Sequence, residues 1–145
     1  MNLSRNVQIQ TGLDHAEGNA DRNGEVFDTQ GFDGVMIVTK FGDIAAGAVT
    51  TFKAQQGEQA DLSDGVDLAG TGISVAADDD NQIFVLDIYR PLERYIRGVV
   101  DKDGVNATEE MMFYIGYKAR KLPTTMELAD EVTYELHASP SEGAA

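Results

Sequence analysis

The sequence predicts an all-β protein, an antiparallel β-sandwich or barrel with long loops and little helix. Three observations predict it. Short apolar runs rich in β-branched and aromatic residues recur along the chain, each bounded by turn residues. Glycine is abundant at 15 residues against 3 prolines, which suits many tight turns. No long segment carries the 3.6-residue apolar period of an amphipathic helix.

The elements follow in order. Val7–Gln10 and Glu25–Asp28 are weak strand candidates. Val35–Phe41 (VMIVTKF) is a strong one, between Gly34 and Gly42. Ala48–Ala54 (AVTTFKA) alternates, with Val49, Thr51 and Lys53 on one face and Thr50, Phe52 and Ala54 on the other. The link GDIAAG has hairpin length or slightly more. Gly72–Ala76 is a further weak strand, and Asp78–Asn81 makes a turn. Ile83–Tyr89 (IFVLDIY) is too short for an uncapped helix, so it reads as a strand buried on both faces. Tyr95–Val100, Met111–Tyr117 and Val132–Ala138 complete the strands.

Helix is confined to short candidates. Pro91–Arg94 has room for one turn. Asn106–Met112 reads either as a short capped helix or as the start of a strand, and Thr124–Glu131 carries helix formers with Thr caps. Gly12–Gly24, Gln55–Gly65 and Leu122–Asp130 read as surface loops. At 145 residues the chain fits a single β domain, 1–145. A short N-terminal arm (about 1–10) and a mobile C-terminal tail (about 139–145) are expected to order on a partner. No internal repeat of solenoid or propeller length is present.

Charge narrows the partners. Twenty-five acidic and 11 basic residues leave a net charge of −14. Nucleic acid requires cations to neutralise its phosphates, so it is not an expected partner. Anionic membrane surfaces are disfavoured for the same reason. The self-repulsion is screened by salt, the Debye length falling from about 10 Å at 0.1 M to about 3 Å at 1 M. There is no cysteine, which excludes disulfides and thiolate metal sites. The N-terminus lacks a secretory pattern, and no run approaches the roughly 20 apolar residues of a membrane span. A soluble protein made in a cytoplasm is expected.

Catalytic patterns are absent. His15 and His137 stand in no HExxH-type array, and Ser4, Ser63, Ser74, Ser139 and Ser141 lack a GxSxG setting. There is no phosphate loop, and GTG at Gly70–Gly72 reads as a turn. Two aspartate clusters, Asp61/Asp64/Asp67 and Asp78/Asp79/Asp80, offer oxygen ligands for a hard cation. Neither fits the calcium-loop spacing, so both read as solvated turns. A carboxylate pair would also suit a glycosidase, but no Trp is available as a sugar platform. No enzyme activity, cofactor or metal is expected.

The few cations are grouped. Arg90, Arg94 and Arg97 fall within YRPLERYIRGVV, beside Tyr95, and Lys118, Arg120 and Lys121 within YKARKLP. Arg with Tyr is a composition enriched at protein interfaces. The competing reading is of ordinary edge cations paired with nearby acids such as Glu93. Together with Leu3, Arg5 and Val7 of the arm, these residues are the candidate contact surface.

The opening MNLSRNVQI, then GFDGVMIVTKFG, TTFKAQQ, VLDIYRPLERYIRGVV, KLPTT and the closing SPSEGAA, in that order, resemble the small head decoration (cement) proteins of tailed bacteriophages. Leu13–Gly24 and Asp103–Glu110 lie outside the resemblance. It implies a structural virion protein, β-rich and trimeric. Such a protein sits on the outer surface of the capsid, bound to the major capsid protein, and strengthens the shell against internal DNA pressure. The rival expectations are another virion accessory protein (neck, tail-completion or fibre-anchoring) and a ligand-binding β-sandwich module. An undetected hydrolase ranks last.

Overall fold

The computed structural model describes residues 2–124, 131–139 and 141–143. It is an all-β sandwich of two antiparallel sheets. A 3-10 turn at Leu3–Arg5 precedes β1 (Gln8–Leu13). Then come β2 (Arg22–Asn23), β3 (Phe27–Asp28), β4 (Gly34–Ile44), β5 (Val49–Gly57), β6 (Val66–Asp67), β7 (Ile73–Val75), β8 (Ile83–Tyr89), β9 (Tyr95–Asp103) and β10 (Ala107–Tyr117). Sheet A has the order β1-β10-β4-β8. Sheet B runs β2-β9-β5-β6, with β3 also on β9 and β7 also on β5.

The inner faces build one core. Val35, Ile37 and Phe41 of β4, Leu86 of β8, and Met112 and Tyr114 of β10 meet Phe27, Phe52, Ala54, Val75, Ile96 and Val100 from sheet B. Phe27, Phe41 and Phe52 are fully buried, each contributing about 1.5–3 kcal/mol by removal from water. Tyr114 is buried with its hydroxyl satisfied twice, donating to the Glu25 carbonyl at 2.6 Å and accepting from the Gly98 N–H at 3.1 Å. Burial raises its phenol pKa. Two glycines make room around this ring and its neighbour Met112. A Cβ on Gly24 would collide with the Tyr114 hydroxyl, and one on Gly98 with the Met112 sulfur.

A charged pair also lies inside. Lys102 Nζ of β9 donates to Glu109 Oε2 of β10 at 2.5 Å, with both side chains at most 1% exposed. Lys102 also donates to the carbonyls of Ala107 (2.7 Å) and Gly18 (3.2 Å). The Arg22 guanidinium lies 3.8 Å from the same Glu109 oxygen. Breaking such a pair from one side leaves an uncompensated buried charge.

Several expectations need correcting. β4 and β5 do not form a hairpin, because GDIAAG carries the chain from sheet A to sheet B. Asn106–Met112 extends into strand β10, where pairing with β4 settles the ambiguity against a helix. Pro91–Arg94 is a bend and not a helical turn. Val132–Ala138 alternates like a strand but joins no ladder. Gln8 onward is part of sheet A, so a free arm would end before it. Most of Thr124–Glu131 and of Leu122–Asp130 lies outside the described residues.

Candidate protein-binding surfaces

The carboxylate clusters dissolve into separate structural roles. The Asp61 side chain accepts from the Ser63 N–H, and Asp64 from the N–H groups of Glu58 and Gln59. Asp67 pairs with Lys53 at 2.8 Å, and Asp79 and Asp80 hold the backbone of Ala76 and Ile44. Each satisfies backbone donors in a turn or balances a cation. Among the described residues no group of three or more His, Asp or Glu side chains is placed to hold a metal ion. His15 lies 3.3 Å from Glu110, and His137 lies 2.8 Å from Glu135, in exposed pairs.

The cations come together at one end of the sandwich. β8 and β10 both flank β4 and pair with Gly34 through Tyr89 and Tyr117. The segments leaving them, Arg90–Arg94 and Lys118–Thr124, therefore emerge side by side. Arg90 and Lys118 both adopt left-handed backbone, with φ of 54° and 50°. That conformation costs a non-glycine residue about 1–2 kcal/mol. It places both cations over the Tyr89 ring, at 5.1 Å and 4.5 Å from its centroid. The ring's negative face attracts them.

Arg90, Arg94 and Arg120 line an open cleft of about 690 Å³ with Phe32, Leu92 and Glu58. Arg94 makes a bidentate pair with Asp28 at 3.0 and 2.7 Å and stacks over Tyr95 at 5.0 Å. The Arg94 hydrogen bond holds the Asp28 carboxyl below its ordinary pKa. Arg120 lies 3.2 Å from Asp33 and stays largely exposed. Lys121 lines an adjoining groove with Phe32 and Pro123. Arg5 is exposed nearby, its carbonyl accepting from the Thr124 N–H. Leu3 is exposed too. Val7 and Arg97 do not join this surface as expected. Val7 is buried, because it packs inside the chain's own fold. Arg97 lies on sheet B and donates both its Nε–H and Nη2–H to Gln55 Oε1.

The opposite end has the opposite character. Its loops, Asp14–Asp21, Asp43–Ala48, Asp78–Asn81 and Asp103–Asn106, hold eight carboxylates and no lysine or arginine.

A second surface was not anticipated. Alternation along sheet A sends a set of apolar side chains outward. The paired row Phe113–Val38–Val85 crosses β10, β4 and β8, and Ile115–Met36 lies beside it. These residues stand apart from the core cluster. Ile83, Val85, Met111 and Tyr89 are 63%, 45%, 44% and 48% exposed, while Val38 at the centre is 8% exposed. Thus Ile83–Tyr89 is not buried on both faces: its outward row faces solvent. A signal was present in the continuous apolar runs VMIVTKF, IFVLDIY and MMFYIGY, which break the alternation of a one-sided sheet.

No known protein-family model matches the chain, and no curated protein matches it significantly.

Proposed function

We propose that the chain is a non-catalytic structural protein of the virion, a decoration protein that binds the major capsid protein on the outer surface of a tailed-phage head and stabilises the shell. The observation that carries this reading is the division of charge between the two ends. Arg90, Arg94, Lys118, Arg120 and Lys121 gather at one end, among Asp28, Asp33, Glu58 and Glu93 and with the exposed Leu92, while the loops of the other end carry carboxylates and no lysine or arginine. The first end has the Arg, Tyr and apolar composition of a docking surface. The second, held outward, keeps decorated particles soluble and away from nucleic acid. Many copies, each bridging neighbouring capsid subunits, stabilise a shell through multivalency even where each contact is weak.

The test is to mix the purified protein with undecorated heads of the phage that encodes it and image the particles. Density at regular surface positions is expected. Arg90→Glu/Arg120→Glu should weaken binding about tenfold or more, equivalent to about 1.4 kcal/mol. A bare shell would overturn the reading. A few copies confined to one vertex would favour a neck or fibre-anchoring protein instead.

A further inference from the structure

We propose that the outer face of sheet A closes a two-fold dimer of this chain. An antiparallel sheet with one solvated face normally turns polar residues outward. Here the outward rows are apolar across β10, β4 and β8, from Phe113 and Ile115 to Val85 and Ile83. Contiguous apolar patches of this kind on soluble domains mark binding surfaces.

Charge identifies the occupant. Within the paired rows from Ile83 to Asp87, the outward-facing charged residues of β4 and β8 are Lys40 and Asp87, one of each sign, on a chain of net charge −14. Two such acidic bodies can approach through this face without setting like charges opposite one another. Lys40 lies one outward position to one side of Val38, in the row of Ile83, and Asp87 one to the other, in the row of Met36. A two-fold axis in the interface plane, perpendicular to the strands and passing over Val38, brings Lys40 of one copy within reach of Asp87 of the other. The row Phe113–Val38–Val85 then packs on its own copy, and Ile115 and Met36 of one chain face the row of Met111 and Ile83 of the other, the isologous contact of a C2 pair.

The area suits a weak, concentration-dependent contact. The three apolar strands, about 4.8 Å apart and seven residues of about 3.3 Å each, cover roughly 330 Å² in projection; the outer side of β1 at Ile9 is lined by the chain's own Val132, Tyr134 and Leu136. Side-chain relief and the rim of Tyr89 and Tyr117 extend this toward the lower range of specific interfaces, about 600 Å² per partner. The contact requires no capsid, so its failure and that of the decoration reading are separately visible. It also departs from the threefold association that the family resemblance implies.

Sedimentation equilibrium of the full chain across the micromolar range tests it. The mass should move from one chain of 15.7 kDa to two. Raising salt from about 0.1 to 1 M should tighten the association by screening the net charge, the reverse of an ionic contact. Ile83→Glu/Val85→Glu should weaken it about thirtyfold or more, with an unchanged circular dichroism spectrum. Met111→Lys gives the same reading should the double variant misfold. Ser74→Glu, on sheet B, should leave it unchanged. A one-chain mass at every concentration, a three-chain mass, or a dimer indifferent to the sheet A variants would overturn the proposal.

Discussion

The two outer faces of the sandwich are built from the same kind of strand and differ in nearly everything else. On sheet B a polar network runs across β9, β5 and β6. Arg97 donates to Gln55, Gln55 to Asp67, and Lys53 joins Asp67 to Asp101 at 2.8 and 2.5 Å. Val49 and Val66 stand exposed beside that network. On sheet A the equivalent positions carry Phe113, Val38, Val85 and Met36; among the described residues Val85 is left exposed, Met36 and Phe113 are half-buried and Val38 is buried among its neighbours. The difference teaches that the two sheets share one core but not one environment. The outer face of sheet B is crossed by polar and charged groups, whereas that of sheet A is apolar along its central row.

Substitutions can break or sharpen that contrast. The largest effect should come from beneath both faces, where Lys102 and Glu109 tie the sheets together. Lys102→Met should cost about 3–5 kcal/mol in urea unfolding, because Glu109 is left buried with only the Arg22 guanidinium, 3.8 Å away, to balance it. Adding Glu109→Leu should recover much of the loss. A single variant within about 1 kcal/mol of wild type would show that water reaches the pair. Next is Tyr114→Phe, which orphans the Gly98 N–H and the Glu25 carbonyl and should cost about 1–3 kcal/mol.

The outer faces themselves should respond weakly in the isolated chain but differently from one another. Lys53→Met on sheet B removes exposed ion pairs and should cost at most about 1 kcal/mol. Val85→Thr on sheet A should change unfolding by no more than about 0.5 kcal/mol. Yet it should reduce self-association, which Lys53→Met should not.

The smallest effect is one of pH. The Lys53 hydrogen bond, then Gln55, holds the Asp67 carboxyl below its ordinary value of 3.8, and Arg94 does the same for Asp28. A lowered native pKa contributes stability above the unfolded value, and that stability is lost as pH falls through the native value. The urea midpoint should therefore decline below about pH 4, with a slightly flatter decline in Asp67→Asn. Carboxyl NMR titration that places Asp67 at or above 3.8 would contradict the pairing.

Much of the fold was legible because β-branched and aromatic apolar runs mark strands wherever they end up. β4, β8 and β10 were all visible in this way. Their partners were not: whether the chain turns back within a sheet or crosses to the other depends on which edges remain open, as GDIAAG shows. Val132–Ala138 failed for a related reason, since alternation supplies two faces but no neighbour for the backbone. The buried Lys102 was missed because a charged residue in a strand reads as outward. Its register with Ile96, Gly98 and Val100, all inward on β9, was the available signal. The cations near Arg90 and Lys118 were visible as two groups, but only the pairing of Tyr89 and Tyr117 with Gly34 unites them. The apolar outer face was seen only as continuous hydrophobicity. Sequence cannot separate a strand buried by its own chain from one awaiting a partner.

The most direct test of the central claim is the solvent accessibility of individual methyl groups, read by paramagnetic relaxation from a soluble probe as protein concentration rises. Ile83, Val85 and Met111 on sheet A should become shielded, while Val49 and Val66 on sheet B, 63% and 68% exposed, should stay as they are. If Val85 remained as accessible as Val66 at every concentration, sheet A would be no contact face between copies.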